Sequence, residues 1–457
     1  MKTRTIEDFF LKELTDYSCY STIRMLGSAI DGLKNSQRKI IYTALDKLKS
    51  STKVSVFDNQ MQSYTQYLHG SASGVVSNMG ASYCGSNNLP LLKGEGNFGS
   101  RMVNEPAAPR YIYVNKPDYL DSIFDIRDVL IEQSFEGDKI EPKFFVPSIP
   151  LALVNGCMNG LASGFKQHIL PRDLKDIVKY YESQNSTKVK NCGTNVKFLN
   201  PYIKGFNGSI LNDMENPNKW YLCGKVSISK NKVHITEIPP FIEYSKYIET
   251  LDDLLDKKKI KSYKDNTNVK TQTFDFEVVL HKELNESNVL DLLKLKRSEV
   301  EIYNCIDENN KVRTFENVFE ILDYFKKVRT KYLELQRQYD LKQANTELFI
   351  NASKYKFVQM IMNNELKVFK RPKDDIVKDL SKTNLFKDFK DNEVSTKVED
   401  FIKFGVYDYL LNMQIHSFTN ETLKILESKI EKLQDKIKNL KELNIETKFL
   451  NDMKGLL

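Results

Sequence analysis

The run Ala107-Ala108-Pro109-Arg110-Tyr111 puts a phenol beside a guanidinium. Tyrosine can carry a phosphoryl group as a covalent ester, and an adjacent cation can neutralise the charge that phosphorus gains during attack. Glycines before the pair and prolines on both sides exclude regular helix, so the pair is displayed on a loop. A dipeptide of this kind is common, and its surroundings must carry any assignment. A second candidate is Asp31-Gly32-Leu33-Lys34-Asn35-Ser36-Gln37-Arg38-Lys39, a basic turn leading into the apolar positions Ile40, Ile41, Ala44 and Leu45. The start of a helix presents free backbone amides, and with added cations it attracts phosphate. The same run also suits an ordinary solvated helix start.

Two other signals point away from chemistry. Gly94-Glu95-Gly96-Asn97-Phe98-Gly99 spells G-x-G-x-x-G, but a dinucleotide site needs a helix directly after it, and Pro106 and Pro109 follow instead. It reads as a structural loop. Glu136-Gly137-Asp138 has the character of an exposed turn and lacks the further carboxylates of a magnesium site. The six cysteines, Cys19, Cys84, Cys157, Cys192, Cys223 and Cys305, contain no Cys-x-x-Cys pair and indicate neither zinc nor a disulfide framework. The five histidines, His69, His168, His234, His281 and His416, are dispersed, so spacing reveals no base paired with a nucleophile.

The elements that must position these groups fall into three zones. Residues 1–170 are rich in glycine and short segments and hold the candidate chemistry. Residues 171–315 carry strand signals: Val226, Ile228, Val233 and Ile235 alternate around a Lys230-Asn231 turn, and TFDFEVVL follows at 273–280. From 316 to 457 the pattern is helical. Val318, Ile321, Phe325, Val328, Tyr332, Leu335 and Tyr339 repeat at 3 and 4, as do Leu423, Leu426, Ile430, Leu433, Ile437 and Leu440. These are coiled-coil seams of a long antiparallel arm with a small helical knob between them, or else the faces of two bundle helices.

A chain of 457 residues with 40% hydrophobic content can bury several cores. No apolar run is long enough to cross a bilayer and no signal-peptide core opens the chain, which places it in a cytoplasm. Its charge of +7, from 68 Lys and Arg against 61 Asp and Glu, permits a polyanionic partner without demanding one.

Motif order is more specific than any of these properties. DGLKNSQRKIIY at 31–42, YLHG at 67–70, NLPLLKGEGNFGSR at 88–101, AAPRYIYV at 107–114, IEPKFFVPSIPLALVNG at 140–156 and GLASGF at 160–165 occur in one order. HITEIPP at 234–240 and YDYLLNMQIHSFTNE at 407–421 follow. Together they resemble the breakage-reunion (A-type) region of type IIA DNA topoisomerases over nearly the whole chain. The modest length is most similar to the medium-subunit class of T-even-type phages, with a host cytoplasm as the implied compartment.

The resemblance implies a multidomain α+β fold: a winged-helix DNA-cleavage domain of the catabolite-activator type, an α/β tower, and a coiled-coil arm ending in an exit gate. It implies that Tyr111 attacks a DNA phosphate, stays joined to the 5′ phosphate, and is assisted by Arg110. Arg24, Lys34, Arg38 and Lys39 match basic positions along the cleaved duplex, His69 matches a phosphate-contacting histidine, and Leu161 matches an apolar wedge between base pairs. Magnesium would be held by a Toprim domain and ATP by an ATPase module, both on partner subunits. The chain itself would dimerise through the winged-helix domain and the exit gate. A general base for a phenol, whose ordinary pKa is near 10, is not assigned to His69.

Three departures matter. Asn35 stands where the family has proline, RMLGSAI at 24–30 lacks another proline, and GCMNG at 156–160 is one residue longer than usual, which could shift Leu161. The competing readings are a DNA-bending protein that does not cleave, and a tyrosine recombinase. Recombinases place their tyrosine near the C-terminus, whereas here it lies in the first quarter.

Overall fold

The computed structural model describes residues 5–185, 199–382 and 407–457. Cys192, and residues 383–406 of the stretch expected to hold the helical knob, lie outside them. The chain divides into two compact units, Met1–Arg329 with Phe449–Leu457, and Thr330–Lys448.

After the short helical segments Ile6–Asp8 and Phe9–Leu14, the first unit continues with helices Thr15–Met25, Asn35–Lys47, Val54–Thr65 and Ser73–Gly80. A three-stranded antiparallel sheet accompanies them, with strands β1 (Thr52–Lys53), β2 (Lys93–Glu95) and β3 (Tyr113–Asn115) in the order β1-β3-β2. Ile40, Ile41, Ala44, Phe57, Met61, Val76, Leu92, Ile112 and Val114 are buried between these elements. The turn before the second helix is set by Asp31 and Gly32. Buried Asp31 accepts the Leu33 amide (2.9 Å) and both the Nε and an Nη of Arg38 (2.8 and 3.1 Å). Gly32 has φ +66°, and a Cβ there would stand 2.4 Å from the Ala152 nitrogen, so only glycine fits. Asn35 is the first residue of its helix, the position where proline is tolerated because that N–H needs no partner; its replacement by asparagine leaves the turn intact.

A hairpin of Cys157–Ala162 and Phe165–Ile169 follows, with a register shift between Cys157 and Gly160 and Asn159 at φ +56°. The GCMNG stretch therefore carries a β-bulge, while Leu161 stays paired opposite Lys166. Further on, Lys225–Ser229 and Lys232–Glu237 form the expected hairpin, with Val226 opposite Ile235, Ile228 opposite Val233, and Lys230 in the turn at φ +54°. Phe276–Val279 pairs with Lys232–Glu237 in a four-stranded sheet over a core of Ile235, Tyr247, Leu251, Phe276 and Val278.

The helix Val318–Met362 departs from the seam assigned to it. Val318, Ile321, Phe325, Val328 and Tyr332 are buried as expected, but so are Leu322 and Leu333, and Leu335 is exposed. A straight α-helix drifts about 20° per heptad against a strict 3.5-residue repeat, so the buried stripe moves off Leu335. In helix Asn420–Glu442 the six seam positions are all buried or half-buried and every other residue except Thr422 is exposed. Phe357, Leu366, Ile376, Leu380, Tyr407 and Leu410 form a separate core in the second unit.

Candidate active site

Tyr111 lies in a tight turn that leads into β3. Its amide donates to the Ala108 carbonyl (2.9 Å), and Pro109 holds the second turn position, where its fixed φ is suited. Both flanks are pinned to the start of helix Val54–Thr65: the Ser55 amide donates to the Pro109 carbonyl (3.2 Å) and the Val54 amide to that of Ile112 (3.0 Å). Ile112 is buried beneath, while Tyr111 is 66% exposed. The Arg110 guanidinium carbon stands 4.9 Å from the centre of the Tyr111 ring. The phenol oxygen has no hydrogen-bond partner among the described residues. The result is an accessible phenol on a turn tied to a helix start, with a cation against its ring.

The Gly-rich run buttresses this turn. The Asn97 carbonyl accepts the Ala107 amide (2.9 Å), a Cβ on Gly96 would meet Ile112 at 3.1 Å, and a Cβ on Gly94 would overlap the Phe98 ring. No helix follows, and the loop acts as backbone packing. Glu136 and Gly137 form the exposed turn of the hairpin Gln133–Phe135 and Asp138–Ile140. No group of three or more potential metal ligands occurs among the described residues.

Arg24, Lys39 and His69 come together, with Tyr20, Ile23, Asn35, Gln66, Tyr67, Leu68 and Phe135, around a cleft of about 380 Å3. Desolvation, followed by the charges of Arg24 and Lys39, holds the His69 imidazole below its usual pKa. Arg24 is half-buried and has no hydrogen-bond partner among the described residues. Lys34 is half-buried at the helix start, where its amide donates to Gln37 Oε1 (2.9 Å).

Arg38 and Lys39, expected along the phosphate path, instead point inward. Arg38 grips Asp31 and also donates to the Leu33 carbonyl (3.2 Å); Lys39 Nζ donates to Glu141 (2.9 Å) and to the Thr65 carbonyl (2.7 Å). The reason lies in two buried carboxylates that need counterions, one of them 102 residues away from its lysine. Leu161 projects from its hairpin at 61% exposure.

Several contacts around these residues have no sequence signal. The Tyr20 hydroxyl is hydrogen-bonded to His69 Nε2. Asp58 accepts from Ser71 and Ser73 hydroxyls (2.6 and 2.7 Å) and from the Ala72 amide (3.0 Å), fixing the loop after His69. The motifs are also fastened to one another. Asp31 accepts the Phe145 amide (2.9 Å), the Asn155 side chain bonds both backbone groups of Leu89 (2.8 Å each), and Arg101 pairs with buried Glu237. Only the charge types of these partners, not their pairing, could be read beforehand.

Residues 24–455 match a family model that describes the A-type chain of DNA gyrase/topoisomerase IV. The chain is 29% identical over 475 residues to a mitochondrial DNA topoisomerase 2 of Dictyostelium discoideum, an alignment covering 100% of this chain and 35% of that protein. To DNA topoisomerase 2 of Invertebrate iridescent virus 6 it is 30% identical over 449 residues, covering 94% and 37%. The chain thus spans roughly a third of the length of the curated relatives it matches. The crystal structure of a Plasmodium falciparum topoisomerase II DNA-binding, cleavage and re-ligation domain superposes with a TM-score of 0.81 at 28% identity, over 98% of this chain and 63% of that one.

Proposed function

The chain belongs to the A-type family of DNA gyrase/topoisomerase IV, and on that premise we propose that it is the DNA-cleaving and rejoining part of an ATP-dependent type IIA topoisomerase. The observation that carries the proposal is the exposed Tyr111, held with Arg110 on a turn pinned to a helix start. Tyr111 Oη attacks a backbone phosphorus, a bond forms from that oxygen to phosphorus, and the bond to the 3′ oxygen breaks. The phenolic proton is lost and the departing oxygen takes one up as a 3′ hydroxyl. The 5′ phosphate remains on Tyr111, and reversal reseals the strand. Arg110 turns from the tyrosine ring to the phosphate as its charge rises.

Arg24, Lys34 and His69 bind the backbone of the cleaved duplex. Arg38 and Lys39 hold the turn and the cleft in shape. Leu161 enters a base step, bending the duplex toward the protein. Residues 1–170 serve as the winged-helix domain, with helices Asn35–Lys47 and Val54–Thr65 beside the β1-β3-β2 sheet. Residues 171–315 serve as the tower, and 316–457 as a coiled-coil arm and exit gate built on helices Val318–Met362 and Asn420–Glu442. Two copies, joined at the first domain and the gate, each cut one strand.

Type IIA cleavage requires magnesium. The Mg2+ ligands belong to a Toprim domain and the ATP site to an ATPase module, which we assign to partner subunits in the manner of T-even-type phage enzymes. The working compartment in this reading is a cytoplasm; no helix among the described residues is long and apolar enough to cross a membrane. A DNA-bending protein would share the wedge and the cations, so covalent chemistry is the discriminator. Duplex DNA, the full chain, a Toprim/ATPase partner and magnesium are mixed and quenched with denaturant. Peptide mapping is expected to find the DNA on Tyr111, and Tyr111→Phe to yield none. Adduct formation that persists in Tyr111→Phe would falsify the proposal.

A further inference from the structure

Tyr20 sits one helical turn before Arg24 on helix Thr15–Met25, and its hydroxyl meets Nε2 of a histidine 49 residues further along the chain. The two rings stand 5.9 Å apart, and Tyr67 packs edge-on against the imidazole at 5.5 Å and 70°. The imidazole is therefore fixed by a hydrogen bond at one nitrogen and by a second aromatic ring. Nδ1 has no partner among the described residues, and Arg24 lines the same cleft. Building on the cleavage reading above, we propose that Tyr20 is a positioning residue for DNA cleavage: its hydroxyl donates to Nε2, holds His69 as the Nδ1–H tautomer, and so aims an N–H donor, beside Arg24, at a backbone phosphate.

The chemistry follows from the two faces of a neutral imidazole. One nitrogen donates and the other accepts, and the partner of one decides the role of the other. The groups facing His69 from the packed elements are Tyr20 and Arg24 on the first helix, Lys39 on the next and Tyr67 in its own loop. Two are cationic and none is anionic, so the ring is kept neutral, in line with its lowered pKa. A neutral ring with Nε2 accepting from a phenol carries its proton on Nδ1. Without Tyr20 the ring would be free to take the other tautomer and to rotate, leaving an acceptor where a phosphate requires a donor.

Tyr20→Phe removes the hydroxyl and keeps the ring. In full-length protein labelled with 15N-histidine, and assigned by comparison with His69→Gln, the wild-type His69 signals are expected to show a protonated Nδ1 and an unprotonated Nε2 at pH 7.5. In Tyr20→Phe they are expected to move toward averaged or reversed values. With the Toprim/ATPase partner, magnesium and DNA, the same variant should lose roughly two- to tenfold in the rate of adduct formation at Tyr111, the scale of one hydrogen bond, with little change in DNA affinity. Unchanged 15N shifts overturn the proposal, as does a tautomer change with an unaltered adduct rate. A melting temperature equal to wild type excludes misfolding; should Tyr20→Phe melt lower, Tyr20→Leu, which occupies the cleft with no hydrogen-bond donor, must show the same tautomer change and rate loss. DNA mapped to residue 20 would make it a nucleophile and also overturn the proposal. Adduct surviving in Tyr111→Phe would remove the cleavage reading itself, an outcome distinct from all of these.

Discussion

In the proposed cleavage reaction the chemistry depends on Arg110 and Tyr111, two side chains that the backbone holds side by side. Arg110 has no hydrogen-bond partner among the described residues and rests on the tyrosine ring, so turning toward a phosphate breaks only a cation–π contact. Arg110→Ala is expected to slow adduct formation about 100-fold, the cost of one donor aimed at developing charge, with a much smaller change in DNA affinity. Rapid-quench cleavage beside a binding titration checks this, and equal losses in both would mean that the residue only binds. The neighbouring cleft offers a pH test. His69 is held below the ordinary histidine pKa of about 6.5 by desolvation and by Arg24 and Lys39, so it is neutral at pH 7. Its NMR titration midpoint should fall below that value and rise in Arg24→Ala; a midpoint that stays put in the variant would show that Arg24 exerts no field on it.

Turns and caps are what place these residues. Gly32→Ala is expected to destabilise the first unit by roughly 3 kcal/mol or more, because it combines a left-handed backbone with a Cβ overlapping the Ala152 backbone. Denaturant melts measure it, and a loss under about 1 kcal/mol would contradict the close approach. Asp58 carries the pH dependence of the loop after His69. Burial raises its pKa, but donors from Ser71, Gln62, Ser73 and Ala72 outweigh burial and leave the carboxyl below its usual range. A depressed carboxylate stabilises the fold above the unfolded pKa of about 3.9 and loses that contribution as pH falls through the folded value. Asp58→Asn should therefore cost about 2 kcal/mol at pH 7 and progressively less as pH drops below 4. A cost independent of pH would mean that the effect is steric. The hairpin shows the same logic in reverse: the bulge at Asn159 absorbs one residue and leaves Leu161 exposed. Removing a residue from this stretch should change DNA bending and cleavage more than stability.

Across the first unit, ion pairs join motifs far apart in sequence: the buried pairs Lys39 with Glu141, Arg101 with Glu237 and Arg172 with Glu301, and buried Arg329 with the more accessible Asp125 and Asp452. Arg101→Ala would leave Glu237 buried without its cation and is expected to cost about 3 to 5 kcal/mol, read as a lowered melting temperature. Arg101→Ala with Glu237→Gln should recover part of that loss, and no recovery would show that Arg101 acts by packing on Phe274 instead. The sequence by itself determined the order of the motifs and the candidates they single out. Motif order along the whole chain singled out Arg110 and Tyr111, while alternation marked the hairpin around Lys230 and the 3,4 repeat marked the buried stripe of helix Asn420–Glu442, because these two depend on neighbours within a few residues. What only the tertiary structure decided is which charges face outward. Arg38 and Lys39 look like phosphate ligands until Asp31 and Glu141 are seen to claim them, and Tyr20 looks like an ordinary helix residue until its hydroxyl meets His69. A side chain's role follows from its partner. Where that partner is 49 or 102 residues away, only the folded chain brings the two together.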